Sequence, residues 1–362
     1  MDRVSRRAFL TTTGAVAGAL AAPDRVRASH APSLTLTCAN YVRFLPIATG
    51  DVRPIDLALT WVRGDRNEML RRATDDSTVD GGETSMAQHV QRLDRGDRSL
   101  VAIPIFPLRN FTVRDLYMRS GSSVDIRSLS GRRLGIYNWA ASGAVWYRHL
   151  LRYLGNDTKK IQWIVGGVDG PAAVRLPEPP LANVRPAPSG AGLSELLLKD
   201  GIDALFAPLP PRALHPIDGP IVRAVPAFQS VEQKYFTDTG CYPPQHVIVV
   251  RRAAWDRDRS VGQRLVDAFN ESEKVFESLQ RQYPYNSPWL IEEVEGAARF
   301  MGTSYHSHGL DANRRAVDTF CQAAFDDGLT KRRVTVDDFF QDFLRISEQR
   351  IALRAGPSRL RP

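Results

Sequence analysis

Cysteine is scarce: the 362 residues hold three, Cys38, Cys241 and Cys321, with no Cys-x-x-Cys pair and no Cys/His ligand spacing. This excludes the common structural zinc modules and leaves room for one disulfide, whose pairing the spacing does not decide. A phosphate-binding Gly-rich loop, a serine nucleophile elbow and a dinucleotide fingerprint are all missing, so those three enzyme classes have no support. Beyond the N-terminus no run approaches the ~20 apolar residues that a membrane helix needs. The formal charge of +8 is not massed either, because the arginines come as isolated pairs at 71–72, 132–133, 251–252, 314–315 and 332–333. Without a basic helix or an aromatic-interleaved stripe, a nucleic-acid partner is not expected. Dispersed positive charge suits solubility and the attraction of small anions. Hydrophobic residues at 43% and charged ones at 24% describe an ordinary globular chain, so length decides the architecture. About 330 residues past the N-terminal segment suffice for two lobes.

What is present begins with Ser5-Arg6-Arg7-Ala8-Phe9-Leu10, a mildly apolar stretch over 11–22 and an Ala19-Leu20-Ala21 cleavage option. A twin arginine ahead of an h-region of modest hydrophobicity is the pattern of a twin-arginine export signal, read here over residues 1–31. It implies the twin-arginine translocase as a partner during export and a periplasmic or otherwise extracytoplasmic destination. Because that route carries folded proteins, the chain is expected to fold before it leaves.

Residues 132–155 organise the rest. Strand 133–137 runs through a small-residue loop, 138–141, into a helix that starts at Ser142 and stops at Gly155. The first N–H groups of such a helix lie unpaired at the carboxyl edge of a sheet, which suggests an anion site at Ser142–Gly143. The plainer reading is that Ser142 caps its own helix. Similar patterns place strands at 34–38, 55–61, 112–118, 161–165, 203–207, 221–225 and 246–250, with 100–106 as a buried parallel strand. Helices are expected at 67–73, at 84–93 behind Glu83, at 193–198, and over 261–283, 289–300, 313–327 and 336–345. Strands alternating with helices mean an α/β fold with mostly parallel sheets. Two such blocks, 34–106 and 130–207, joined at 107–118 and 243–250, imply two lobes crossed twice by the chain. The expected bounds are 32–108 with 244–362 for lobe I, including the C-terminal helices, and 109–243 for lobe II. A central cleft at the strands' carboxyl ends then offers a place for a small ligand, and hinge closure buries it.

In order along residues 34–345 come Cys38-Ala39-Asn40-Tyr41-Val42-Arg43, Glu83-Thr84-Ser85, Phe106-Pro107-Leu108-Arg109, Ser142-Gly143-Ala144-Val145-Trp146-Tyr147-Arg148 and Thr239-Gly240-Cys241-Tyr242-Pro243-Pro244-Gln245-His246. Together they resemble the 4,5-dihydroxyphthalate decarboxylase family, which has the type II periplasmic solute-binding fold. The resemblance implies a two-lobed clamp for a small aromatic carboxylate. Three departures bear on activity. The family's Arg-His-Ser becomes Thr112-Val113-Arg114, and its Gly-rich element loses the closing Arg in Gly166-Gly167-Val168-Asp169-Gly170-Pro171. Acidic or amide positions near the opening loop are Trp139 and Ala140. Losing an Arg and a His from a dicarboxylate and proton-transfer site implies a different ligand and counts against the decarboxylase chemistry.

Decarboxylating an aromatic acid needs a clamp that turns the carboxylate out of the ring plane and an acid that protonates the ring carbon. Arg43 and Arg109 are the expected clamps, since a guanidinium offers a bidentate fork; the alternative is a pair of surface arginines. His246 is the expected proton-transfer group, or else a structural histidine at the hinge. Glu83 is its catalytic companion, or a cap of the helix it precedes. Tyr41 and Trp139 are expected to stack on the ligand ring, or to belong to the core. His306 and His308 lack a nearby carboxylate or Cys and are expected on a surface loop, so no metal and no cofactor are expected. Two readings from different classes remain open. One is an exported solute-binding protein that presents a small carboxylate to a membrane transporter or sensor. The other is an exported carboxy-lyase on the same fold. Export favours the first, because catabolic decarboxylation is more useful beside its downstream enzymes; similarity along the whole chain favours the second.

Overall fold

A computed structural model describes residues 31–215, 217–282 and 287–346. The export signal read over 1–31 therefore lies, but for its last residue, outside the described residues. The chain opens with β1 (Ser33–Ala39), α1 (Leu45–Thr49), β2 (Ala58–Gly64), α2 (Arg66–Asp75), β3 (Gly81–Ser85), α3 (Met86–Asp94) and β4 (Leu100–Ile103). It then crosses to build β5 (Leu116–Arg119), β6 (Arg133–Ile136), α4 (Ser142–Tyr153), β7 (Gln162–Val165), β8 (Val184–Pro186), α5 (Leu193–Leu198), β9 (Ala204–Phe206), β10 (Ile221–Arg223) and α6 (Phe228–Thr239). It returns through β11 (His246–Arg251) to α7 (Arg252–Arg257), α8 (Val261–Gln282), α9 (Leu290–Met301), α10 (Arg314–Asp326) and α11 (Val336–Phe339).

The result is the expected α/β architecture in two sheets, one of five strands in the order β2-β1-β3-β11-β4 and one of six in the order β10-β5-β9-β6-β7-β8. Both are mixed, and the antiparallel member of each is the strand that the crossing chain delivers. β11 inserts antiparallel between β3 and β4, and β5 runs antiparallel to both β9 and β10. The run 100–106 is thus corrected: its strand ends at Ile103 and pairs with β11 antiparallel, because the returning chain occupies the place a parallel neighbour would take. The crossings themselves run side by side. Arg109 and Pro244 form an antiparallel bridge, with Asn110 N donating to Pro243 O at 3.1 Å and Gln245 N to Leu108 O at 2.8 Å.

Helix α6 has no counterpart among the expected helices, and its composition explains why. Among its residues only Glu232 and Tyr235 are buried, so it shows no apolar stripe of helical period. Helix α4 shows the opposite pattern and is buried on two faces. Val145 and Trp146 belong to the core of the first sheet, while Ala144, Tyr147, Leu150 and Leu151 belong to that of the second. Tyr147 stacks flat on Phe206 with centroids 4.0 Å apart, and Trp146 Nε1 donates to Pro244 O at 2.6 Å. One turn on, Arg148 Nε and Arg152 Nη1 donate to the two oxygens of Asp327 at 2.8 and 2.6 Å, just past the end of α10. This one helix therefore fastens the second sheet to the helices that cover the first. The three cysteines are free and buried.

Candidate functional site

Glu83 does not cap a helix. It lies in the middle of β3, all of whose residues are buried, and α3 begins only at Met86. Two glycines explain the difference. A Cβ at Gly81 would stand 2.2 Å from Val249 O, and one at Gly82 would stand 2.2 Å from Thr37 O. Only a strand without side chains there fits between β1 and β11, and this carries the next residue, Glu83, into the interior at their ends.

The carboxylate of Glu83 is wholly buried and gathers four donors. Ala39 N at 2.8 Å and Cys38 Sγ at 3.2 Å reach Oε2; Tyr41 OH at 2.6 Å and His246 Nδ1 at 2.5 Å reach Oε1. Burial alone would raise its pKa, but the bond and charge of His246, with the donors Tyr41 and Ala39, hold it down to about 2. It is ionised at neutral pH. Burial, then Glu83, push the neighbouring Tyr41 hydroxyl and Cys38 thiol the other way, so both stay protonated. An ionised Glu83 makes Nδ1 of His246 the donor and leaves Nε2 without a protein partner among the described residues.

The second sheet meets this cluster at the start of α4. Ser142 is the first helical residue and not the cap, which is Ala141. Its hydroxyl instead reaches the first sheet, 2.7 Å from Ser85 Oγ, and accepts from Ala87 N at 3.0 Å. Gly143 keeps the adjoining space narrow, since a Cβ there would stand 3.2 Å from Gln245 Oε1 and 3.3 Å from Tyr137 OH. Tyr41, Glu83, His246, Ser142 and Gly143 are thus brought together where the two sheets touch, with Ser85, Tyr137 and Gln245 beside them. A wide, open hollow lies elsewhere, lined by Arg127, Tyr153, Lys234 and Asp238; none of its lining residues is buried, and it has no comparable chemistry.

The remaining candidates have other partners. Arg43 is buried, pairs with Glu273 of α8, and donates to Phe106 O at 2.8 Å and to Pro107 O. Arg109 is buried against Phe106 and Tyr242 and donates to Tyr242 O and Ser307 O at 3.3 Å and to Asn313 Oδ1. Burial, then the charge of Arg43, lower its pKa to about 10. Both guanidiniums brace the first crossing. Trp139 lies in the core of the second sheet, with Arg148 stacked 3.9 Å above its ring. His308 is not on a surface loop: it is buried, accepts from Phe106 N at 3.2 Å through Nδ1, and packs on Phe44 and Phe269. Beside it, His306 packs on Tyr242 and Tyr305, half-buried.

Sequence reasoning passed over Arg66. It opens α2 behind Asp65, whose carboxylate already accepts from Asn67 N and Glu68 N. Its Nε is buried, and its side chain has no hydrogen-bond or ion-pair partner among the described residues. Its charge reaches the hydroxyl of Tyr41 in the first sheet and that of Tyr137 in the second, opposing the burial that raises both. The signal that could have flagged it is position: the second residue past β2, at the carboxyl end of a strand paired in parallel.

No family model matches the chain. It is 25% identical to the 4,5-dihydroxyphthalate decarboxylase of Comamonas testosteroni over 319 residues, which is 85% of this chain and 96% of that protein. With the 4,5-dihydroxyphthalate decarboxylase of Pseudomonas putida it shares 26% identity over 184 residues, 49% of this chain and 71% of that protein. Among solved structures, the periplasmic aliphatic sulphonate binding protein of Escherichia coli superposes with a TM-score of 0.51 at 13% identity, covering 86% of this chain and 97% of that one. Along most of its length, then, the chain resembles the 4,5-dihydroxyphthalate decarboxylases, and its fold is that of the periplasmic solute-binding proteins.

Proposed function

We propose that this is an exported solute-binding protein that captures a small aromatic carboxylate between two lobes, 32–108 with 244–362 and 109–243. The supporting observation is the convergence of Tyr41, Glu83 and His246 with Ser142, Gly143 and Tyr137 where the start of α4 meets the first sheet. In this reading Tyr41 lies along the ligand ring, His246 Nε2 faces it, and the Ser85–Ser142 contact marks the closed form. Arg43 and Arg109 brace the crossing. The cargo passes to a membrane transporter or sensor. Export follows the twin-arginine route, so replacing Arg6 and Arg7 together by Lys should leave the protein in the cytoplasm in a cell fractionation; secretion of that variant at wild-type levels would end the assignment.

A second reading, a carboxy-lyase, is favoured by the His246–Glu83 pair and by similarity to the decarboxylases. In that reaction the C–C bond to the carboxylate breaks, its electron pair stays on the ring carbon, carbon dioxide leaves, and the doubly protonated imidazolium of His246 gives the carbon its Nε2 proton while Nδ1–H stays on Glu83. The test is to titrate the purified protein with benzoate, 4-hydroxybenzoate, phthalate and 4,5-dihydroxyphthalate, following melting temperature and carbon dioxide together. Binding without turnover should give stabilisation of about 2.7 kcal/mol at a hundredfold excess over Kd and no gas. Release that disappears in His246→Gln establishes the lyase, and silence in both readouts defeats both readings.

A further inference from the structure

Three arginines lie near the candidate site, and they differ in what holds them. Arg43 and Arg109 are engaged by Glu273, Asn313 and backbone carbonyls. Arg66 has no partner among the described residues, although its Nε is sealed from solvent. Nor do the amides at the start of α2 compete for an anion, because Asp65 occupies them. A buried guanidinium N–H without an acceptor is costly unless an external acceptor arrives. The hydroxyl of Tyr137 likewise has no hydrogen-bond partner among the described residues, and it lies beside Gly143.

We propose that Arg66 and Tyr137 together hold the anionic end of the ligand, Arg66 from the start of α2 and Tyr137 from just past β6, and that this pair selects for a carboxylate or sulfonate on an aromatic ring. This rests on the reading of the cleft as a site for a small aromatic anion. The guanidinium supplies the charge and a two-pronged donor set. The phenol, kept protonated by burial and by Asp115, donates to a remaining oxygen. With the anion fixed there, the ring extends toward Tyr41 and His246. Because one donor follows β2 of the first sheet and the other follows β6 of the second, the ligand's charge also helps keep the two halves together.

The test measures affinities of the full chain for benzoate, phthalate and benzenesulfonate, with benzamide as the neutral isostere, by titration calorimetry. The wild type should bind at least one anionic probe well above benzamide. Arg66→Gln should lose that affinity by about 100-fold, as expected for one partner of a desolvated charge-assisted pair. Arg66→Lys should recover part of it, Tyr137→Phe should weaken it by about 10-fold, and Arg71→Gln, an exposed charge one turn away, should leave it unchanged. Wild-type affinity in Arg66→Gln overturns this assignment and leaves the solute-binding reading standing. Benzamide bound as tightly as benzoate overturns anion selection, and failure of the wild type to bind any probe overturns the assignment and the reading beneath it.

Discussion

Asp327→Ala should lower the free energy of unfolding by about 3–5 kcal/mol, read from urea denaturation at neutral pH. Removing this carboxylate leaves two arginines without their anion, and they differ in what happens next. Arg152 is 26% exposed and can turn to water, whereas Arg148 is 1% exposed and cannot. Arg148 is pinned over the Trp139 ring, with Nη1 on Trp139 O at 3.0 Å and Nη2 already unpartnered. An uncompensated cation enclosed between two cores is among the few single defects of this size. The double variant Arg148→Met with Asp327→Leu should recover most of the loss, because apolar groups of similar volume dispense with desolvation altogether. A loss under 1 kcal/mol in Asp327→Ala would show that water reaches Arg148 and that α4 is held less firmly than its contacts indicate.

Glu83→Gln should be nearly as damaging, and its cost should depend on pH. An amide of the same shape presents an NH2 where Ala39 N, Tyr41 OH or His246 needs an acceptor. The native carboxyl has its pKa lowered from 4.5 to about 2. A lowered folded-state value contributes stability that is fully present above the unfolded value and fades as pH falls toward the folded one. The span from 4.5 to about 2 corresponds to ~3 kcal/mol. The wild type should therefore exceed Glu83→Gln by about that amount at pH 7 and converge on it between pH 4.5 and pH 2. Parallel stability curves down to pH 3 would mean that the native carboxyl is not ionised. Under either functional reading, ligand handling in this variant should fail as well, since the orientation of His246 depends on the same oxygen that Tyr41 shares.

The strands and helices that alternate strongly were legible because burial alone produces their patterns: β1, β6, β11, α4 and α10 lie within a residue or two of their expected bounds. Composition could not show which strands become neighbours. His246 and Glu83 are 163 residues apart and touch only because β11 enters beside β3 in the register that sets His246 against Ser85. Glu83 looked like a helix cap because an acidic residue followed by Thr and Ser ahead of an amphipathic run is the usual N-terminal pattern. The Gly81–Gly82 pair before it was the competing sign of a strand squeezed between two others. Arg43 and Arg109 follow strand ends, as a ligand clamp would, but a brace between a crossing and a helix has the same local sequence. Arg66, lying among Asp65, Asn67 and Glu68, has the look of a solvated helix start, and only its buried, unpartnered Nε tells otherwise.

Helix α4 also bears on the order in which the molecule can be assembled. Its Trp146 side needs Phe320 of α10, and its Arg148 needs Asp327, a residue 179 positions further along. While the ribosome is still making the chain, the six-stranded sheet can be complete in sequence and yet have its central helix half uncovered, with a Trp and a cation exposed together. The nascent chain thus carries an adhesive face until residues 314–327 emerge, and the two sheets cannot mature one after the other in the order of synthesis. Quality control has a simple criterion to act on: a truncated or stalled chain displays that face, and a finished one does not.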